Sequence, residues 1–216
     1  MTTERRLYAI VDVDTCLARG LDVLEFAQRV CEAGPLCVQL RAKNTNAKVT
    51  LDLLRGLVKV AKPFGVPVYA NDRPDLAMLS GADGVHVGQD DMPVAEVRAL
   101  APELRVGLST HDDEQVREAI TQHPDYIAIG PIFPTPSKID HEGAIGLLGL
   151  ESAAQLTRAA GIPLVAIGGI DRARVRDVAQ FADWVSVIGA LVPSSGAIAQ
   201  VTGQVKDFAS TLSRAP

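Results

Sequence analysis

The chain has 216 residues, 47% of them apolar but only 4% aromatic, and a formal net charge of −5. That length suits one domain, residues 1–216, with a sizeable core, and the acidic balance argues against a general nucleic-acid binder, which must neutralise several phosphates with a basic face. Cys16, Cys31 and Cys37 are odd in number and lack metal-type spacing, the first residues hold no apolar leader, and no later run approaches a membrane span; the expected setting is a reducing cytoplasm without a membrane partner.

The first apolar run, Leu7 to Val13, reads as a strand, and a helical pattern over about Asp22 to Glu32 ends at Gly34-Pro35. Residues 36–40 form a second strand whose far end delivers Arg41 and Lys43, and a helix over roughly Ala47 to Ala61 follows. Val68-Tyr69-Ala70 runs directly into Asn71-Asp72-Arg73, and Pro74 suits the start of a short helix ending near Gly81. Gly84 to Val87 is a fourth strand, closed by Gly88-Gln89-Asp90-Asp91, with a helix from about Val94 to Leu100. Arg105 to Ser109 is the fifth, followed by a helix from about Asp113 to Gln122 for which Asp112 suits the cap.

The sixth strand, Tyr126 to Ile129, feeds Gly130-Pro131-Ile132-Phe133-Pro134-Thr135-Pro136-Ser137-Lys138. Prolines fix φ and remove amide donors, so such a loop is stiff and presents Thr135, Ser137 and Lys138 with little ordering entropy left to lose. A helix around Leu150 to Ala160, a strand Leu164 to Ile167, a helix near Asp171 to Gln180, a strand Trp184 to Ile188 and a last helix over roughly Ala197 to Leu212 complete the chain. Strand-then-helix units recurring about every 25 residues predict a single α/β domain of the (β/α)8 TIM-barrel type. A doubly wound open sheet competes, but the glycine-rich fingerprint it carries after an early strand is missing.

Barrel sites are built where strands end, and sorting by that rule gathers the informative polar residues on one rim. Arg41, Lys43 and Lys138, with Thr135 and Ser137, make an anion-binding set in which a guanidinium grips phosphoryl oxygens bidentately. Asp72 and Asp91, on adjacent loops, are hard oxygen ligands suited to Mg2+. Gly168-Gly169 and Gly189 follow strands seven and eight, where barrels commonly hold phosphate on backbone amides. Each group also has a plainer reading. Asp72 beside Arg73 could be a surface ion pair, Asp90-Asp91 a lead into a helix, Gly168-Gly169 a turn, and His86 a packed interior residue. His111 lies at the rim, His123 and His141 look peripheral, and the cysteines have no activating neighbour.

Taken together, Leu7-Tyr-Ala-Ile10, Gln39-Leu-Arg-Ala-Lys43, Asn71-Asp-Arg73, residues 82–91, Gly107-Leu-Ser-Thr-His111, residues 125–138 and Ala166-Ile-Gly-Gly-Ile170 resemble the thiamine-phosphate synthase family across nearly the whole chain. The resemblance implies a pyrimidine diphosphate and Mg2+ among Arg41, Lys43, Asn71, Asp72, Asp91 and Lys138, with Thr135 and Ser137 near the diphosphate and an incoming thiazole phosphate. It further implies that Gln39 and Ser109 contact the pyrimidine or the departing diphosphate, and that amides around Gly169, Ile188 and Gly189 carry the thiazole phosphate. Arg41, Lys43, Ser109 and Lys138 would be the catalytic set, in a displacement where diphosphate leaves before the thiazole nitrogen attacks. Two positions depart from the family pattern: Ala42 stands where an acid is usual, and Gly189 where a serine is typical. A related thiazole tautomerase, with His111 as acid or base, and a non-catalytic barrel that binds a thiamine precursor remain as alternatives, and the oligomeric state is left open.

Overall fold

A computed structural model of the chain describes residues 6–135, 143–193 and 197–213. Eight strands, β1 (Leu7–Asp12), β2 (Cys37–Arg41), β3 (Val68–Asn71), β4 (Gly84–Val87), β5 (Arg105–Thr110), β6 (Tyr126–Ile129), β7 (Leu164–Ile167) and β8 (Trp184–Val187), close in sequence order into a parallel barrel. The ring is sealed where Leu7, Tyr8 and Ala9 of β1 pair with Val185, Ser186 and Val187 of β8. The TIM-barrel expectation therefore holds.

The helices are α1 (Val13–Ala18), α2 (Val23–Glu32), α3 (Ala47–Ala61), α4 (Pro74–Ser80), α5 (Val94–Leu100), α6 (Asp113–Thr121), α7 (Gly146–Ala160), α8 (Val175–Val178) and α9 (Val201–Ser213). Most differences from the sequence reading sit at helix ends, and one short helix is new. The first strand stops at Asp12, whose carboxylate accepts the Thr15 amide at 2.8 Å and so starts α1, a helix that periodicity over six residues could not reveal. Asp171 takes the amides of Ala173 and Arg174 in a turn, which leaves α8 only Val175–Val178 of the expected Asp171 to Gln180. α7 begins at Gly146 rather than Leu150, and α9 is preceded by a 3-10 turn, Ile198–Gln200. Asp22, Asn46 and Asp112 cap α2, α3 and α6, the last as expected.

One device recurs at the N-terminal end of the barrel. Asp83, Asp125 and Asp183 each immediately precede an even-numbered strand, and each carboxylate accepts an amide at the start of the strand before it, the first in Val68 and Leu164 and the second in Val106, at 2.8 Å. Those charge-assisted bonds set the register of β3 to β4, β5 to β6 and β7 to β8. Along every strand, residues alternate between an outer core against the helices and an inner one. The inner core holds Tyr8, Ile10, Cys37, Tyr69, Tyr126, Ala128 and Val165. Glycine makes room for its large rings: a Cβ at Gly84 would strike the Tyr69 ring, and one at Gly107 the Tyr126 ring. This filled lower barrel is the floor on which the rim stands.

Candidate active site

The C-terminal rim is held on its first side by ion pairs. Arg41, the last residue of β2, places Nη1 2.5 Å from Oδ2 of Asp12, its register partner on β1. Asp12 is only 3% exposed, and its other oxygen accepts both the amide and the hydroxyl of Thr15, at 2.8 and 2.6 Å. The acid that steers the guanidinium thus comes from β1, and not from position 42, where Ala42 stands in place of the family's usual acid. Asp12 and Thr15 were overlooked as site residues, although an acid closing an otherwise apolar strand was visible in the sequence.

Lys43 bridges to the next loop, with Nζ 2.9 Å from Oδ2 of Asp72. Asp72 has φ +62°, a left-handed conformation that Asp tolerates better than most residues, and its amide donates to the His86 carbonyl at 2.8 Å. The surface-pair reading of Asp72 and Arg73 does not describe this loop, because Arg73 grips Asp75 instead, at 2.6 and 2.8 Å. A pocket of about 180 Å3 opens here, with Ala42, Lys43, Thr45, Asn71, Asp72 and Arg73 in its wall.

Asp91 turns back over its own loop, accepting the Gly88 amide at 2.7 Å, so it does not serve as the cap of α5, a position Pro93 holds. Burial raises the Asp91 carboxyl above its ordinary range, and the carboxylate of Asp72 raises it further, while the Gly88 amide and Lys43 oppose the rise. Two carboxylates that repel each other beside a lysine form a site that a small divalent cation would relieve. Among the described residues no group of three or more His, Cys, Asp or Glu converges on a metal. Two carboxylates nevertheless fit Mg2+, which keeps water and substrate phosphate for its remaining positions.

The opposite side of the rim is built from backbone. Gly168 and Gly169 have φ of +100° and +65°, and the proline loop lies directly on them: Ile132 and Phe133 donate their amides to the carbonyls of Ile167 and Gly168, at 2.9 and 3.0 Å. A Cβ at Gly169 would come within 2.7 Å of the Phe133 and Pro134 carbonyl oxygens. The pair is more than a turn: it lets the loop approach. Arg174, which sequence reasoning missed, donates to the Gly169 carbonyl at 3.1 Å and lies 4.8 Å over the Phe133 ring. Ile145 and Gly146 donate to the carbonyls of Pro131 and Ile132 at 3.0 Å, fastening the start of α7 to the loop's beginning. Thr135 is half-buried, while Pro136, Ser137, Lys138 and His141 lie outside the described residues. Ile188 precedes a 3-10 turn, Gly189–Leu191, whose exposed first residue has open space where a side chain would stand.

Between the two sides, Ser109 is half-buried near the end of β5, and its carbonyl accepts Gln89 Nε2 at 2.6 Å. His111 folds onto α6, its amide and Nδ1 both 3.0 Å from Gln115 Oε1. Gln39 is 2% exposed, with Nε2 donating to Tyr8 Oη at 2.9 Å. His86 is half-buried and packed: it stacks on Tyr126, with Nδ1 3.0 Å from that hydroxyl. Ser186 Oγ, on β8, is the one buried side-chain polar atom left without a partner among the described residues, and nothing in the sequence singled it out. No described helix is long and apolar enough to cross a membrane.

A closed parallel barrel with Arg41, Lys43, Asp72 and Asp91 gathered at its C-terminal rim defines the class, a (β/α)8 protein with a site of enzyme type. A family model described as thiamine monophosphate synthase matches residues 7–191. The chain is 41% identical over 174 residues to a thiamine-phosphate synthase of Shouchella clausii, covering 80% of this chain and 81% of that one. It is 38% identical over 190 residues to thiamine-phosphate synthase 1 of Streptococcus pneumoniae, covering 86% and 89%. Among solved structures, a thiamine phosphate pyrophosphorylase from Pyrococcus furiosus superimposes with a TM-score of 0.81 at 27% identity, covering 96% of each chain. The chain belongs to the thiamine monophosphate synthase family and is a transferase. These matches do not favour the tautomerase or the non-catalytic reading.

Proposed function

We propose that the chain joins 4-amino-2-methyl-5-hydroxymethylpyrimidine diphosphate to thiazole phosphate, giving thiamine phosphate and pyrophosphate. The observation that carries this reading is the row Asp12–Arg41, Lys43–Asp72 and Asp91 along one side of the rim, a set of charges suited to a leaving diphosphate. The carbon–oxygen bond to the diphosphate breaks first, its electron pair leaving with the oxygen, and the thiazole nitrogen lone pair then closes the carbon–nitrogen bond. No side-chain nucleophile is needed, only neutralisation of departing charge, alignment and exclusion of water.

Arg41, steered by Asp12, grips the diphosphate bidentately, and Lys43 adds a point charge that exchanges between Asp72 and the phosphoryl oxygens. Asp72 and Asp91 would hold Mg2+, with Asn71 beside them, and the bound ion would lower the charge on the leaving group. By family resemblance Lys138 would serve the departing group and Thr135 and Ser137 both it and the incoming thiazole phosphate, while Ser109 would meet it from β5. Gln39 contacts the pyrimidine. Amides of Gly169, Ile188 and Gly189 receive the thiazole phosphate, on the side where glycine keeps the backbone open. Three free, buried cysteines support a reducing, cytoplasmic setting.

Purified protein given both half-molecules and Mg2+ is expected to release pyrophosphate and thiamine phosphate in equal amounts. Chelation is expected to stop it. Undiminished turnover after chelation would remove Mg2+ from the mechanism, and absence of product from both substrates would refute the function.

A further inference from the structure

Four side chains form an unbroken polar chain across the barrel interior. Gln39 Nε2 donates to Tyr8 Oη at 2.9 Å, Tyr8 Oη lies 2.8 Å from Tyr126 Oη, and Tyr126 Oη lies 3.0 Å from His86 Nδ1. We propose that this chain positions the Gln39 amide so that the site selects an amino-substituted pyrimidine over its oxo-substituted counterpart, an inference that rests on Gln39 being a pyrimidine contact.

Tyr8 and Tyr126 are 2% and 1% exposed, so a phenolic proton pointed away from the chain would find no water. With Gln39 Nε2 facing the Tyr8 oxygen, one arrangement uses both phenolic protons: Gln39 N–H to the Tyr8 oxygen, Tyr8 O–H to the Tyr126 oxygen, and Tyr126 O–H to an unprotonated His86 Nδ1. Burial, the largest influence on both phenols, raises them well above their ordinary range, so they keep these protons. His86 is thereby the Nε2–H tautomer, held flat on Tyr126 with ring planes 9° apart. The reverse direction requires the Gln39 amide to be turned over, with Oε1 accepting from Tyr8 and His86 protonated on Nδ1.

A fixed direction has a chemical outcome. Tyr8 is the one partner of the Gln39 side chain among the described residues, and it fixes the nitrogen end by one N–H, so the oxygen end is the acceptor that Gln39 offers a ligand. An acceptor at that point matches an exocyclic amine. It opposes a carbonyl, because two facing acceptors leave both unpaired. Gly107 belongs to the device, since any side chain there would displace the Tyr126 ring.

The test compares kcat/KM for the 4-amino pyrimidine diphosphate and its 4-oxo analogue, with thiazole phosphate saturating, in the wild type, Tyr126→Phe and Tyr8→Phe. The wild type is expected to prefer the amine by at least about a hundredfold. Either variant releases the amide to flip and is expected to narrow that preference at least tenfold, mainly through KM, with kcat on the amine within about threefold. An unchanged preference, or equal loss on both substrates, would show that the tyrosines only pack. If neither variant folds, 15N NMR of wild-type His86 decides: an Nε2–H tautomer supports the chain and Nδ1–H overturns it. Should the wild type make no thiamine phosphate, the function fails independently, and calorimetric binding of the two diphosphates still tests the selection.

Discussion

The two sides of the rim do their work with different atoms. From β1 to β4 the site is made of side-chain charge, each group held by an opposite charge or an amide: Arg41 on Asp12, Lys43 on Asp72, Asp91 on Gly88. From β6 to β8 the described part of the site is made of main chain, with glycines at 168 and 169 in left-handed geometry and a proline loop seated on them; family resemblance assigns the Thr135, Ser137 and Lys138 side chains of that loop to the diphosphate instead. The difference matches what each side is proposed to handle. A diphosphate that departs changes its charge during the reaction, and movable ions can follow that change. A phosphate that remains on the product needs only a place to rest, and fixed amides offer one at little entropic cost.

Asp12→Asn strikes the charged side hardest. Asparagine can still cap α1, so the substitution isolates the pair with Arg41. It is expected to lower stability by about 2 kcal/mol in urea unfolding, less than the ~3–5 of a wholly buried pair because the Arg41 side chain keeps 21% exposure. With the guanidinium misplaced, kcat/KM for the pyrimidine diphosphate should fall about a hundredfold while KM for thiazole phosphate holds. Parallel loss on both substrates would mean that the two sides are not separate. Gly169→Ala is the counterpart on the backbone side, with a smaller expected effect of about tenfold. A left-handed alanine costs about 1–2 kcal/mol, and its Cβ would push against the Phe133 and Pro134 carbonyls, which cannot swing away as a side chain would. The loss should appear in KM for thiazole phosphate, and a change confined to the diphosphate would reverse the assignment.

The same contrast explains what the sequence revealed. Strands were readable because buried parallel strands are continuous apolar runs, and the rim because chemistry-bearing residues follow them one after another: Arg41, Asn71, Asp91, Ser109. Pairings were not readable. That Asp12 rather than residue 42 steers Arg41 depends on β1 lying beside β2 with Asp12 opposite Arg41, a fact of register rather than of spacing along the chain. Arg73 choosing Asp75 and leaving Asp72 to Lys43 is equally a matter of loop geometry. Arg174 was hidden because its partners, Gly169 and Phe133, belong to segments 5 and 41 positions away. The tyrosine chain escaped for the same reason, since Tyr8, Gln39, His86 and Tyr126 meet only once the barrel closes.

The finest probe of the comparison is Gly189→Ser, which adds a side-chain donor to a side that otherwise offers main chain. Gly189 is exposed, and nothing lies within 4 Å of where its Cβ would be, so serine enters without displacing anything. Position 189 follows β8 at the start of a 3-10 turn, where a hydroxyl would stand beside the amides proposed for the thiazole phosphate. One hydrogen bond to a charged acceptor, discounted for exposure, contributes roughly 0.5–1 kcal/mol. KM for thiazole phosphate should therefore fall about threefold, with kcat and the KM for pyrimidine diphosphate unchanged. An effect on the diphosphate instead would put Gly189 on the charged side. No effect at all would mean that the phosphate rests deeper, on Gly168 and Gly169, and that the departure at 189 is neutral because backbone already suffices.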